Sequence, residues 1–503
     1  MIGMRSSSVA DVLRRTAAKV PERTALRFDT RDWTYAELDA AVSRAAAALL
    51  RLGLRKGDRV AAYGRNSDAY LLGFLGCARA GLVHVPINYN LAGDELRYLI
   101  EQSGSTTVLV DPDLESNVES SGAAVATKLR LRDAAGSLLE LAWAGEVPEL
   151  DVSVGDDDLV QLLYTSGTTA RPKGAMMTHR ALLHEYLSCL SALDLAAEDE
   201  PLHVMPLYHS AQLHVFLMPA LMIGSTNHLL ETPEPGEILR RIERYGHRSF
   251  FAAPTLWVAL ANHPEFAERD LGSLRKAYYG ASIMPVPVLR RLQEALPQLG
   301  FYNCFGQSEI APLATVLRPE EHAERGDSAG RPVLFVELRV VDPAGEDVPA
   351  GELGEVVYRS PQLCTGYWDK PEDTEEAFRG GWFHSGDLVY RDEQGFIFVV
   401  DRIKDVINTG GVLVASREVE DALYTHEAVG EVAVIGVPDE KWMEAIAAVV
   451  VPKAETTEQA LIAHVRSKLA SFKAPKRVHL VEELPRNASG KLLKRVLRER
   501  FTD

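Results

Sequence analysis

Through the first 400 residues, short Val/Leu/Ile/Tyr runs alternate with longer segments of helical periodicity. That alternation restricts the chain to α/β layering with mostly parallel sheets. Residues 59–63 read as a strand, 68–80 as a helix and 84–87 as a strand, and the run 106–110 ends at the turn pair Asp111-Pro112. A doubly wound region is the expected result. With 503 residues, 46% of them hydrophobic, the chain exceeds what one core can organise, so more than one domain is required. From about residue 328 the texture changes to short strands separated by turn signals (337–341, Asp342-Pro343, 351–358), which predicts a small antiparallel β unit. Beyond Asp401 it becomes α+β, with helices expected at 418–423 and 458–469 and strands at 431–437 and 447–451. The charged stretch 401–405 lies between apolar runs and reads as a hinge. The expected division is 1–400 as a large N-terminal domain, 401–404 as hinge and 405–503 as a smaller C-terminal domain.

Charge narrows the partners. Lys and Arg number 54 against 71 Asp and Glu, a net −17, which argues against nucleic acid or anionic membrane as the bulk partner. Anionic ligands must then meet local cations. Cys77, Cys189, Cys304 and Cys364 are far apart without CxxC spacing, so reduced thiols are expected rather than a disulfide framework or a zinc site. The N-terminal stretch is interrupted by Arg5, Asp11, Arg14 and Arg15, and the longest apolar stretch, 213–223, is too short to span a bilayer and carries Pro219. No transmembrane segment and a cytoplasmic location are the expectation.

Residues 165–174, Thr165-Ser166-Gly167-Thr168-Thr169-Ala170-Arg171-Pro172-Lys173-Gly174, follow the apolar run 159–164 directly. Small hydroxyls, glycines and two cations in that order can cradle phosphate through exposed backbone N–H groups, hydroxyl donors and an ammonium. An ordinary Ser/Thr/Gly surface loop is the competing reading. It is not a Walker loop, because Pro172 replaces the second glycine and Gly174 stands where Ser or Thr should follow the lysine. Further clusters punctuate the chain: Tyr279-Gly280-Ala281-Ser282, Asn303-Cys304-Phe305-Gly306-Gln307-Ser308-Glu309, Trp382-Phe383-His384-Ser385-Gly386-Asp387, Asp401-Arg402-Ile403-Lys404-Asp405 and Pro485-Arg486-Asn487-Ala488-Ser489-Gly490-Lys491.

Together and in this order, from Trp33-Thr34-Tyr35-Ala36-Glu37-Leu38 to Lys491, these motifs resemble the adenylate-forming superfamily of acyl-CoA synthetases, luciferases and carrier-protein-loading adenylation domains. The resemblance implies that a carboxylate attacks the α-phosphorus of ATP, releasing pyrophosphate and leaving a mixed anhydride. Two anions must be brought together, so neutralising the phosphates is the main catalytic burden.

By that resemblance, Thr165, Ser166, Gly167, Thr168, Thr169 and Lys173 grip the β- and γ-phosphates, and Glu309 with Thr165 helps place Mg²⁺. Gly280, Ala281 and Ser282 lie along the adenine, Phe305 stacks near it within the stretch Asn303, Cys304, Phe305, Gly306 and Gln307, and Ser308 faces the phosphates. Asp387 accepts the ribose hydroxyls and Arg402 donates to the same sugar, although a surface salt bridge is the alternative. Lys491 is the expected catalytic cation, delivered to the bridging oxygen and the incoming carboxylate. His209 is assigned to the acyl site as a gate. Lys404 is the implied hinge of a mobile C-terminal domain, and Gly410 and Gly411 suit a narrow thiol channel because no Cβ blocks it. CoA, or the phosphopantetheine arm of an acyl carrier protein, is the implied acceptor; a homodimer is also entertained.

The chain departs from the family pattern in places. Phe305 stands where tyrosine is usual, which keeps a stacking face and loses a hydroxyl. Ala170 replaces a glycine, and 412–418 reads Val-Leu-Val-Ala-Ser-Arg-Glu where a polar residue and a proline are common before the Glu. The acyl pocket is expected to draw on His209, Gln212, Phe216, Phe251, Ala252, Ala253, Pro254, Thr255, Tyr278, Tyr279 and Gly280. These stretches hold no Arg or Lys to pair with a second carboxylate, and the apolar segment 213–223 reads as a fatty-acid tunnel wall or, more plainly, as core. The expectation is a medium- or long-chain fatty acid passed to CoA, with loading of an acyl carrier protein as the alternative. An aryl-acid CoA ligase, a luciferase-like oxidase and a non-catalytic nucleotide-binding scaffold stand behind them.

Overall fold

A computed structural model describes residues 7–165, 171–280, 284, 286–439, 442–486 and 492–502. The chain forms two compact units: one from residues up to Thr165, Pro172–Leu338 and Tyr358–Phe383, the other from Arg339–Val357 and residues from His384 onward. The fold is mixed α/β, with parallel-centred sheets in the larger unit and a smaller α+β C-terminal region.

In the first unit a six-stranded sheet runs in the order Thr127–Arg130, Thr107–Val110, Arg59–Tyr63, Val83–Ile87, Leu159–Thr165, Lys173–Thr178. Its pairing is parallel as far as Leu159–Thr165, and Lys173–Thr178 then returns antiparallel with Lys173 opposite Thr165. A nine-stranded sheet runs from Arg331–Pro332 through Leu313–Leu317, Gly300–Gly306, Lys276–Gly280, Ser249–Phe251, Leu202–His203, Asn227–Leu229 and Thr24–Phe28 to Arg31–Thr34. Its centre is parallel and both its edges are antiparallel. These strands are nearly continuous apolar runs because helices cover both faces.

Local chemistry sets the helix ends. Thr34 caps Tyr35–Arg51 by a capping box, its Oγ1 accepting from Glu37 N at 3.2 Å while Glu37 Oε2 accepts from Thr34 N at 2.9 Å. Asp68–Arg79, the helix expected at 68–80, is buried on all sides, as its run of Ala, Leu, Gly and Phe requires. Segment 213–223 departs from a plain helix: Ala211–Leu217 winds as wide π turns and continues as Met218–Ile223, with Pro219 in the first α turn, where its missing N–H costs little. Leu213, Leu217, Met218 and Leu221 are absorbed into the main core.

The second unit contains a four-stranded sheet in the order Glu337–Val341, Gly354–Arg359, Phe383–Arg391, Ile397–Arg402, and a five-stranded sheet built on the long antiparallel pair Val429–Asp439 and Met443–Pro452. Strict alternation splits that pair between two cores. Val432, Val434, Ile446, Ala448 and Val450 pack under Ser416–Tyr424 and Glu458–Lys468, whereas Ala433, Ile435, Ala447 and Val449 meet Leu497 of Lys494–Phe501. The expected strands and the helix at 418–423 fall within observed elements, and the helix expected at 458–469 ends one residue earlier, at Lys468. All four cysteines are free thiols. Among the described residues, no helix is long and apolar enough to cross a membrane.

Candidate active site

Four of the residues expected at the site lie where the six-stranded sheet ends and the 3₁₀ turn Ser308–Ile310 packs against Leu159–Thr165. Thr165 closes its strand, and Lys173 opens the return strand directly across from it. Lys173 Nζ is paired with Asp373 and sits 5.1 Å above the ring of Tyr367. The same Tyr367 donates from its hydroxyl to Glu309 Oε1 at 3.0 Å, and Glu309 is buried. Burial and the neighbouring carboxylate push the Tyr367 phenol far up, so it stays protonated and donates. Among the described residues no donor reaches Glu309 Oε2. A buried carboxylate with one oxygen fixed and the other unclaimed fits a hard divalent cation. Ser308 Oγ lies 3.4 Å from Ser210 Oγ, which joins the phosphate side to the turn carrying His209.

Tight packing governs the strip expected along the adenine. A Cβ on Gly280 would sit 2.2 Å from the Cys304 carbonyl oxygen, and one on Gly306, whose φ is +155°, would sit 2.0 Å from the Pro312 carbonyl oxygen. Both glycines are therefore demanded by neighbouring backbone as well as by any ligand. Asn303 Nδ2 donates to Ser328 O at 3.0 Å, Cys304 and Phe305 are half-buried, and Gln307 Nε2 is buried without a partner among the described residues. A buried donor left unpaired two residues after a half-buried aromatic fits a purine with acceptor nitrogens.

The expected acyl residues divide into a group that meets and side chains engaged elsewhere. Phe216 stacks on Phe251 at 4.4 Å and tilts against Tyr278 at 5.0 Å, and all three are buried. His209 is half-buried beside Tyr208, and burial lowers its pKa to about 4, so the imidazole is neutral at pH 7. Gln212 is turned into the core instead: its Oε1 accepts from Met205 N at 3.0 Å and its Nε2 donates to His203 Nδ1 at 2.8 Å. Tyr279 bonds His322 Nε2 at 3.0 Å, and Pro254 opens the helix Pro254–Asn262.

In the second unit, Asp387 and Arg402 face each other across antiparallel strands, with Arg402 Nε 2.9 Å from Asp387 Oδ1. Arg402 Nη1 also donates to Ser385 O at 3.0 Å, and Asp387 is buried. Glu355 steadies the turn before them, accepting from Gly386 N at 2.9 Å and lying 2.7 Å from His384 Nδ1. Lys404 lies in the 3₁₀ turn Ile403–Asp405. Gly410 and Gly411, with φ of +65° and +84°, form the turn between Ile407–Thr409 and Val412–Val414, so the hairpin itself requires them. Ser166, Gly167, Thr168, Thr169, Ala281, Ser282 and Lys491 lie outside the described residues.

Sequence reading passed over Tyr367, Asp373, Glu185 and Gln362. Glu185 and Gln362 are fully buried partners whose contacts bind Leu313 N, at 3.0 Å, and Leu313 O, at 3.1 Å, just beyond Glu309. Tyr367 stands between a glycine and a tryptophan, a pattern that was available but carried no chemistry alone.

Comparison with known proteins bears on the family. Residues 13–368 match the model for the AMP-binding enzyme and residues 418–491 that for the AMP-binding enzyme C-terminal domain. A feruloyl-CoA synthase of an Amycolatopsis species is 40% identical, over 99% of this chain and 100% of its own. The long-chain-fatty-acid–CoA ligase FadD13 of Mycobacterium tuberculosis is 34% identical, over 100% of this chain and 98% of its own. Among solved structures, o-succinylbenzoate coenzyme A synthetase of Bacillus subtilis in complex with ATP and magnesium ion superposes with a TM-score of 0.88 at 29% identity, covering 98% of this chain and 99% of that one.

Proposed function

Because this chain belongs to the AMP-binding enzyme family, the adenylate-forming superfamily, and is an AMP-forming acid–thiol ligase, we propose that its acid is a compact, ring-bearing carboxylate of the arylpropenoate class and its acceptor CoA. The observation that carries this reading is the aromatic stack of Phe216, Phe251 and Tyr278. The Leu and Met residues expected to wall a fatty-acid tunnel are spent on the core, and the rings at this position, although buried against one another, are of the residue type that stacks on an aryl group. The relative named feruloyl-CoA synthase supports the same class. A fatty acid is the second reading, supported by the long-chain ligase relative.

In the first half-reaction a carboxylate oxygen bonds to the α-phosphorus of ATP, and the bond to the pyrophosphate leaving group breaks. Mg²⁺, when bound, supplies charge neutralisation on the phosphates. Glu309 would hold it through Oε2, Lys173 would meet the leaving phosphates once released from Asp373, and Gln307 would offer its unpaired N–H to the base. Asp387 and Arg402 would hold the ribose, and Lys491 would stabilise the charge that develops between acid and leaving group. In the second half-reaction the thiol sulfur attacks the carbonyl carbon, its proton passes to solvent, and AMP departs. His209, neutral, would border the acid, and the Gly410-Gly411 turn would border the thiol, with Lys404 as hinge between the two working states. The setting of this chemistry is the cytoplasm.

The test is acid-dependent ATP–pyrophosphate exchange across hydroxycinnamates, benzoates and C8–C16 fatty acids, followed by thioester formation with CoA or a holo acyl carrier protein. Exchange favouring hydroxycinnamates is expected. Exchange confined to fatty acids would overturn the aryl reading, and pyrophosphate release without acyl-CoA would move the acceptor to the carrier protein.

A further inference from the structure

We propose that Tyr367 is a positioning residue that couples the cation-holding carboxylate Glu309 to the phosphate-side ammonium Lys173, with Asp373 serving as the counter-charge Lys173 gives up when phosphate arrives. The inference rests on the reading of Glu309 and Lys173 as magnesium and phosphate groups.

The geometry is specific. One side chain does two things: its hydroxyl fixes Glu309 Oε1 at 3.0 Å and its ring underlies Lys173 Nζ at 5.1 Å. The hydroxyl leaves Glu309 Oε2 as the oxygen open to a cation, and the ring face attracts the ammonium without neutralising it. Asp373 supplies the neutralisation, and both members of that pair are partly exposed. A triphosphate arriving at this surface brings more negative charge than one carboxylate, so exchange of partners is favourable.

Tyr367 is also held in place on both sides. Its segment is stitched to the Lys173–Thr178 strand by Met176 N to Gly366 O at 2.9 Å, Thr365 N to Met176 O at 3.0 Å and Trp368 N to Gly174 O at 2.8 Å. Cys364 N donates to Glu309 O at 2.8 Å, which ties the same segment to the 3₁₀ turn. Thr374 Oγ1 accepts from Tyr367 N at 2.9 Å, which links it to the helix Pro371–Ala377 that carries Asp373. The backbone thus locks strand, turn and helix around one phenol.

The experiment uses the full chain without acid substrate. ATP binding is measured by calorimetry with Mg²⁺ and with EDTA, alongside thermal melting. Tyr367→Phe keeps the ring and removes the hydroxyl; ATP affinity is expected to fall about tenfold with Mg²⁺ and less than about twofold in EDTA, with a lowered melting temperature that is the same in both conditions. Asp373→Asn is expected to tighten ATP binding by about fivefold in both conditions. Equal weakening of Tyr367→Phe with and without Mg²⁺, or none, overturns the coupling to Glu309. An Asp373→Asn protein that binds ATP no more tightly than wild type overturns the counter-charge role. A wild-type chain that binds no ATP brings down the family reading of Glu309 and Lys173, and this inference with it.

Discussion

At the scale of single residues, the acidic and basic side chains of the site differ in what surrounds them, and their substitutions should differ accordingly. Asp387 is buried and pinned against Arg402, so Asp387→Asn retains the shape and loses the charge that aligns the guanidinium. It should raise KM for ATP about tenfold while leaving kcat within about threefold, read by pyrophosphate exchange at varied ATP. Lys491→Ala should abolish adenylation yet leave thioester formation from supplied acyl adenylate largely intact; equal loss in both assays would refute that division of labour. Gln212 belongs to stability instead. Gln212→Leu strands Met205 N–H and the His203 ring nitrogen in the core and should cost about 2 kcal/mol in denaturant unfolding.

Among the elements, ends and crossings matter more than interiors. The capping box at Thr34 satisfies two backbone N–H donors at the start of a 17-residue helix, and Thr34→Ala should lower unfolding free energy by about 1 kcal/mol. Gly306 ends the strand that leads into the Glu309 turn, and a methyl there would meet the Pro312 carbonyl at 2.0 Å in a backbone conformation that L side chains rarely adopt. Gly306→Ala should therefore lower the melting temperature and, by displacing the turn, depress exchange activity more than Thr34→Ala at equal stability. Equal activity at matched stability would show that the turn absorbs the methyl.

Across the whole molecule, buried histidines dominate the response to acid. His84, His214 and His228 are held by burial to a pKa of about 3, and His179, His203, His209 and His247 to about 4. Each stays neutral in the folded state while the unfolded chain takes up its proton near the ordinary value of 6.5. Stability from these groups is therefore fully present above about pH 6.5 and is lost as pH falls towards 4 and 3, by about 1.4 kcal/mol per pH unit for each proton taken up on unfolding. Glu185, whose pKa burial raises, acts in the opposite sense but is outnumbered. Urea midpoints should be level from pH 7 to 8 and fall steeply between 6.5 and 5; a flat profile there would contradict the burial of these imidazoles.

The sequence by itself determined what is local or periodic. Alternating runs specify layered α/β architecture, the run 431–437 specifies a strand, and the ordered motifs identify the family. The acyl surroundings were less legible, because an apolar residue in a helix reads alike whether it lines a pocket or fills a core: Leu213 and Leu217 went to the core, while Phe216 between them faces Phe251. Gln212 and Tyr279 likewise carry polar ends whose partners, Met205, His203 and His322, no spacing rule identifies. Tertiary structure alone decided that Tyr367, Asp373, Lys173 and Glu309 meet, since they come from segments up to 200 residues apart and only strand pairing and backbone hydrogen bonds bring their side chains within reach of one another. The opening alternation therefore dictated the layers, and the long-range pairing of those layers dictated the chemistry at their edge.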